Sequence, residues 1–419
     1  MRTQGLQAQV ADGALSQNPQ MDTRLPLPLL GGLTPERFMQ RHWHKQPLWV
    51  RQAWPGLQPP VTRSRMFELA ASEGVESRCV WVDAGGRWRV RQGPLPRRSL
   101  PPLSRPGWTL LVQGLELHAP PAAAMLERFA FLPHARLDDL MLSWASPEGG
   151  VGAHLDSYDV FLLQVQGRRR WRIGPVQQPV WAPAAPLKLL QHFEPAQEQV
   201  LDPGDLLYLP PGWGHEGTAV GGDCMTCSVG FRAPTAGELA HDLLLRLADG
   251  VADAVADAAD ADLDGSGGRD RAARATAYLT RRYRDPRQSA TAHPGQVQDA
   301  LTAFAHTALQ RALADPQALA RALGEVLSEP KPQVWFNPHG GDPSAGTVRL
   351  AAGTRMLYDA HHVFINGEAF AAAGRDATLM RLLADTRRLP AIDRARLSAP
   401  ASALVDDWLD DGWLEADAA

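Results

Sequence analysis

From Trp108 to Phe231 the chain alternates short apolar runs with Gly and Pro, and this stretch constrains the fold more than any other. Strands are expected at Trp108 to Val112, Asp138 to Trp144, Ser157 to Val165, Arg168 to Ile173, Gln199 to Leu201, Asp205 to Leu209 and Asp223 to Phe231. The runs are short and separated by Gly and Pro turns. Many short strands punctuated in this way predict a double-sheet jelly roll, a double-stranded β-helix whose mouth can hold a site.

The rest of the chain is too long to share that one core. At 419 residues, two or three domains are expected. A hydrophobic share of 44% and a charged share of 21% describe a globular protein, and 37 Gly with 35 Pro indicate turns. The formal net charge of -4 gives no bulk basic field for nucleic acid. Three cysteines are too few for a disulfide framework, which points to a reducing, cytoplasmic setting. Cys224 and Cys227 face opposite ways on a strand, so their C-x-x-C spacing reads as packing rather than as zinc or redox chemistry. The first thirty residues lack a secretory pattern, and no apolar run has transmembrane length, so no membrane partner is expected.

Residues 1–28 read as a loose, Gln-rich extension. Order is expected from Leu29, with Thr34 capping a helix that starts at Pro35, then a strand over Gln46 to Arg51. A helix near Ser64 to Ala71 and a hairpin turning at Gly85-Gly86 lead into the jelly roll, which closes a domain at 29–234. The block 235–330 changes to a helical period: Glu238 to Ala261, broken at Gly250, a loop at Asp264 to Gly268, then Arg269 to Tyr283 and Pro294 to Leu327 with an interruption near Pro316. Such an Ala- and Leu-rich segment reads as a dimerisation module or as a lid on the barrel. Beyond the Pro330-Lys331-Pro332 linker, strands at Thr347 to Ala351, Arg355 to Tyr358 and Val363 to Ile365 precede helices at Thr378 to Asp385 and Ala401 to Asp411. This order predicts a winged-helix-like domain over 331–419. Its last helix carries Asp406, Asp407, Asp410 and Asp411, which repel phosphate and favour a protein partner over direct nucleic-acid binding.

Chemistry is expected at His154-Leu155-Asp156. On a strand, His154 and Asp156 share one face, and His215 follows a short strand and a tight Pro-Pro-Gly turn. Two imidazoles and a carboxylate make the facial triad that holds Fe(II) and leaves coordination positions open. The same parity applied to Arg168 through Ile173 puts Arg169 on one face with Trp171 and Ile173, and the other three arginines on the opposite face. A buried Arg169 needs an anionic partner, and a dicarboxylate co-substrate fits a guanidinium. Pattern alone leaves open a solvated or RNA-contacting arginine face.

The residues Gly149 to Asp156, Tyr158 to Phe161, Gly167 to Trp171, Pro203-Gly204-Asp205, Pro210 to Gly217 and Ser228 to Arg232 resemble the JmjC-type, cupin-fold ribosomal oxygenases, and more closely their bacterial arginine hydroxylases. Leu33-Thr34-Pro35 and Ala292-His293-Pro294 extend the resemblance along the chain. It implies a dioxygenase using Fe(II), 2-oxoglutarate and dioxygen that hydroxylates Cβ of an arginine on large-subunit ribosomal protein L-sixteen, as a homodimer. By position it implies His154, Asp156 and His215 as iron ligands and Arg169 as the grip on the distal carboxylate of 2-oxoglutarate. Tyr158 and Asp159 are the nearest candidates for walls around an arginine substrate. Two departures bear on the pocket. Ala145 stands where relatives often carry a Ser, with Ser143 and Ser146 as substitutes, and Thr226 and Cys227 stand where relatives often carry Asn and Tyr. Ser143 and Thr226 are accordingly placed with Arg169 around the co-substrate. The alternatives are the same chemistry on histidine or another protein, or a non-catalytic metal-binding regulator.

Overall fold

The computed structural model describes residues 21–183, 185–264, 282–284, 295–313, 316–337 and 346–416. Most of the expected N-terminal extension, the Gly265 to Gly268 loop, the helix over Arg269 to Tyr283 save its last two residues, and Ala292-His293-Pro294 lie outside the described residues.

Helix α1 (Pro35–Arg41) starts where Thr34 Oγ1 accepts a hydrogen bond from Arg37 N at 3.2 Å. Such a cap is worth about 1 kcal/mol. It buries Phe38 against Phe161 and Tyr208, with ring centroids 5.6 and 4.9 Å away. The short strand β1 (Leu48–Val50) and helix α2 (Arg63–Ala71), capped by Thr62, come next. The remaining strands of the barrel are β2 (Ser77–Val82), β3 (Trp88–Gln92), β4 (Trp108–Val112), β5 (Leu137–Ala145), β6 (His154–Leu155), β7 (Asp159–Pro175), β8 (Gln197–Leu201), β9 (Leu206–Leu209) and β10 (Trp213–Phe231). They form one ten-stranded sheet in the order β1-β9-β7-β10-β5-β4-β2-β3, with β6 added to β10 and β8 added to β7. Every pairing is antiparallel. Helix α3 (Pro120–Glu127) starts at a Pro-Pro pair and fills the long connection between β4 and β5.

Two expected elements are longer than their composition suggests. The runs Ser157 to Val165 and Arg168 to Ile173 are one strand, because Gly167 at φ +61 bends the chain while its neighbours stay paired to β10. Likewise the strand expected from Asp223 begins at Trp213, so His215, past β9 and its turn as expected, already lies within β10. Gly214, Glu216, Gly217 and Thr218 form an indistinct strand in isolation, and pairing with β7 supplies what propensity lacks.

Side-chain alternation divides the sheet into two faces. Leu140, Leu142 and Trp144 of β5, Phe161, Leu163 and Val165 of β7, and Cys227, Val229 and Phe231 of β10 enter the main core. Val160, Leu162, Trp171 and Ile173 pack on the other face with Leu201, Leu207 and Leu209. Cys224 faces away from that main core, beside Ala145 and Ala219, as the opposed parity of the C-x-x-C pair requires.

Helix α4 (Ala236–Asp264) continues through Gly250, where a break was expected. An interior glycine costs a helix about 1 kcal/mol, which tertiary contacts outweigh. At this point Gly250 admits a close neighbour: a Cβ there would sit 3.3 Å from Arg321 Nη2. Helices α5 (Asp299–Leu313) and α6 (Pro316–Ser328) divide where an interruption was expected, with Pro316 opening the second. The C-terminal part contains β11 (Val348–Leu350), β12 (Met356–Tyr358), β13 (His362–Ile365), β14 (Glu368–Ala371), α7 (Gly374–Thr386), β15 (Arg388–Leu389), α8 (Ala391–Arg394), α9 (Ala399–Asp410) and β16 (Leu414–Ala416). Its two three-stranded sheets enclose a core around Leu383, Val405 and Trp408. Helix α6 packs on this part, since Gly324 lies directly against the Phe364 ring.

Charged groups join the barrel to the C-terminal part. Lys331 Nζ reaches Asp138 Oδ1 at 3.0 Å and Asp139 Oδ2 at 2.9 Å, and Arg355 Nη2 donates to Leu137 O at 3.1 Å. Beside them Glu116 is buried and accepts from Leu140 N at 2.9 Å. Burial, then the Asp139 charge, pushes its carboxyl up to about 7. A raised carboxyl pKa makes folding less favourable as pH rises from the unfolded value of 4.5 towards that level. Thermal unfolding should therefore show wild type losing stability relative to Glu116→Gln between pH 4.5 and 7, with the difference levelling off below the unfolded value. A constant difference across that range would rule out Glu116 as its source.

Candidate metal centre

The pairing of β6 with β10 sets His154 directly opposite His215. Their ring centroids are 4.1 Å apart. Asp156 follows β6 immediately and brings Oδ2 to 3.5 Å from His215 Nε2. One ligand atom from each of the three residues lies within 4.8 Å of the other two. His154 Nδ1 is 3.0 Å from Gly152 O, and His215 Nδ1 is 3.2 Å from Trp213 O. A carbonyl only accepts, so both Nδ1 atoms carry the proton and both Nε2 atoms present lone pairs. Burial, followed by the charge of His154, pulls the His215 imidazolium down to about 4, so His215 is neutral, as a ligand must be, at ordinary pH. Two imidazole nitrogens and a carboxylate suit a divalent first-row metal with coordination positions to spare.

The loop carrying His154 is braced from the side. Gly152 has φ +83, and a Cβ there would sit 2.8 Å from the Trp88 ring of β3. Only glycine meets both demands.

Arg169 lies deeper, on β7. It is 3% exposed, while Arg168 and Arg170 on the opposite parity are exposed and Arg172 is partly so. Arg170 pairs with Glu198 and Arg172 with Glu216. Arg169 has no carboxylate partner among the described residues. Its Nη1 donates to Ser143 Oγ at 3.0 Å and to Thr226 Oγ1 at 3.4 Å, and its Nη2 to Gly217 O at 3.3 Å. Its Nε is buried without an acceptor. Burial pulls this guanidinium below its ordinary value. The Trp171 ring covers it, 5.0 Å from the guanidinium carbon, and also lies 5.9 Å from the His215 ring. Gly217 makes room for both side chains: a Cβ there would sit 2.6 Å from Arg169 Nε and 2.7 Å from the Trp171 ring. A buried cation with an orphaned N–H, close to a metal triad, fits a carboxylate ligand.

Of the two possible substitutes for Ala145, Ser143 touches Arg169, whereas Ser146 bonds to the Trp108 backbone. Ala145 itself is buried with Ala219 and Cys224. Tyr158 is half-buried, and burial followed by the Asp156 charge holds its phenol above the ordinary value, so it stays protonated. The expectation for Asp159 is corrected. It is fully buried on the face of β7 shared with Phe161, accepts from Tyr208 Oη at 2.6 Å and lies 3.0 Å from His44 Nε2. It ties β7 to β9 and the N-terminal segment and cannot line a substrate pocket. Sequence reasoning gives no site role to Gln164, Trp171 or Gly217. Gln164 carries a signal, being the one polar residue in the run Val160 to Val165.

Comparison with known proteins gives this geometry a family. A JmjC domain model matches residues 124–239, and a ROXA-like winged helix model matches residues 311–415. Ribosomal protein uL16 3-hydroxylase from Escherichia coli (strain K12) is 42% identical over 203 residues, which are 48% of this chain and 53% of that protein. A probable ribosomal oxygenase from Haemophilus influenzae is 36% identical over 215 residues, 49% of this chain and 52% of that protein. The chain thus spans about half the length of the curated relatives it matches. A solved structure of YcfD, a ribosomal oxygenase from Escherichia coli, superposes with a TM-score of 0.70 at 30% identity, over 92% of this chain and 98% of that one. The chain belongs to the JmjC ribosomal oxygenases. Another YcfD structure, in complex with cobalt and 2-oxoglutarate, superposes at 0.73 with 28% identity, over 92% of this chain and 99% of that one.

In this JmjC ribosomal oxygenase, Co(II) titration followed by visible absorption should report one site per chain. Asp156→Asn and His154→Ala should each weaken it by more than the roughly 10–100-fold that loss of an outer-shell partner costs. Equal affinity in either variant would remove that residue from the metal.

Proposed function

We propose that this chain is a 2-oxoglutarate- and Fe(II)-dependent dioxygenase that hydroxylates an arginine side chain at Cβ on large-subunit ribosomal protein uL16. The observation that carries the reading is the pairing of a two-His, one-carboxylate cluster with a buried, carboxylate-free Arg169. The names of the matched relatives support the substrate class. When bound, Fe(II) supplies oxidation of an unactivated C–H by dioxygen, coupled to decarboxylation of 2-oxoglutarate to succinate.

His154, Asp156 and His215 hold the metal, with the two Nδ1–H bonds keeping both Nε2 atoms turned to it. Arg169 binds the distal carboxylate of 2-oxoglutarate, positioned by Ser143 and Thr226. Trp171 shields that ion pair from water and so strengthens it. Tyr158, protonated and half-buried, offers a hydroxyl at the border where a target side chain enters.

The domain divisions at 28/29, 234/235 and 330/331 belong to the same reading. Leu244, Leu245, Leu309 and Leu313 are between 46% and 58% exposed on the helical block, more apolar surface than water favours on free helices, and a second copy of the chain is the occupant we assign. The acidic helix α9 fits a protein-contacting role for the C-terminal domain. Among the described residues no helix is long and apolar enough to cross a membrane.

Incubation with Fe(II), 2-oxoglutarate and uL16 peptides should release succinate and give a product heavier by one oxygen atom at the arginine Cβ. Metal-loaded protein that yields neither overturns the reading. Arg169→Ala should lose 2-oxoglutarate affinity by at least about tenfold while still binding Co(II). Leu245→Asp should shift a dimer towards monomer in sedimentation, and a wild-type monomer would sink the dimer assignment.

A further inference from the structure

The hydrogen bonds behind Arg169 form a chain whose proton directions are fixed by its ends. Gln164 is fully buried on β7. Its amide nitrogen lies 2.8 Å from Gln166 O and 3.2 Å from Gly167 O. Carbonyl oxygens only accept, so this end of the amide is the NH2 group and the other end is the oxygen. That oxygen faces Thr226 Oγ1 at 2.9 Å, so the Thr226 hydroxyl donates there. Guanidinium only donates, so Thr226 Oγ1 meets Arg169 Nη1 with a lone pair. Ser143 is bound by the same logic: Oγ donates to Thr226 O at 3.2 Å and accepts from Arg169 Nη1 at 3.0 Å. Both hydroxyl protons are thus committed away from the pocket, and both oxygens serve the cation.

We propose that Gln164 is a positioning residue for the co-substrate, acting through Thr226. By taking the Thr226 proton it makes that hydroxyl an acceptor for Arg169 Nη1 and so holds the guanidinium where it meets the carboxylate. With the amide reversed, its NH2 would meet Thr226, whose own proton would then turn towards Arg169. This rests on the reading of Arg169 as the 2-oxoglutarate grip. It also explains how Thr226 serves in this chain: it supports the arginine and gives no hydrogen bond to the ligand.

Gln164→Met keeps the length of the side chain and removes its polar atoms, and Thr226→Val keeps the shape and removes the hydroxyl. Each should weaken 2-oxoglutarate binding to the Co(II)-loaded protein about tenfold by calorimetry, with the turnover defect on KM for 2-oxoglutarate rather than on kcat. The double variant should bind no more weakly than the singles, because Gln164 acts only through Thr226. Thr226→Ser should restore part of the loss. Unchanged affinity in Gln164→Met, or losses that add in the double variant, overturn the proposal. If Gln164→Met does not fold, Thr226→Val compared with Thr226→Ser decides, and equal affinities overturn it. Wild-type protein that fails to bind 2-oxoglutarate overturns the functional reading instead, whereas wild-type binding that neither variant weakens sinks only the role of Gln164.

Discussion

The antiparallel pairing of β7 with β10 carries more of this protein than any other contact. It sets His215 opposite Ile173, Gly217 opposite Trp171 and Thr226 opposite Gln164. A slip of one residue would turn every one of these side chains to the other face. The register shift between Val220 and Met225 lets one pair of strands serve two stretches of the site. On one side of it β10 presents His215 and Gly217 beside Trp171, and on the other it presents Thr226 beside Gln164. Arg169 bridges the two, reaching Gly217 O with one end of its guanidinium and Thr226 Oγ1 with the other. His215 and Arg169 are therefore held by the same two strands, and their separation is set by backbone pairing.

Keeping Arg169 buried is costly. Removing a cation from water carries an effective penalty of several kcal/mol even after relaxation. Three neutral acceptors and the Trp171 face offset part of it, at roughly 1.5–3 kcal/mol for each hydrogen bond to a charged group and about 2 kcal/mol for a desolvated cation–π contact. Its neighbours on the sheet show the ordinary solution, with Arg170 and Arg172 each matched to a glutamate near solvent. Where Arg170 and Arg172 have carboxylate partners and Arg169 has none among the described residues, the buried guanidinium fits a carboxylate that comes from outside.

Much of this was legible in the sequence where one rule governs each residue. Strand parity separated Arg169 from Arg168, Arg170 and Arg172, and the burial of β7 follows that alternation. Thr34 and Pro35 announced α1 through local capping, which needs no tertiary partner. The failures share a different cause. The early part of β10 is rich in Gly and polar residues, and Gly250 sits inside α4; in both, long-range packing overrides local preference. Asp159 misled because adjacency to Tyr158 says nothing about facing: neighbours on a strand point apart. The contacts of Gln164 connect it to Thr226, 62 residues away, a proximity that only the β7–β10 register creates.

Two kinds of support meet at the cluster of His154, Asp156 and His215. His215 and Arg169 sit within long strands paired on both sides, fully or almost fully buried, with their hydrogen-bonding directions settled by neighbours that cannot reverse them. His154 and Asp156 sit at a two-residue strand and the bend after it, partly exposed, held by the pairing to β10, by Trp88 packed over Gly152 and by the bridge from His154 to Leu189. Local opening is cheapest where buried contacts are few. The β6 side is thus the more readily opened side of the cluster, while the β7–β10 side keeps the arginine and the deeper histidine fixed. Rigidity and ease of opening are in this way assigned to different strands around one small volume.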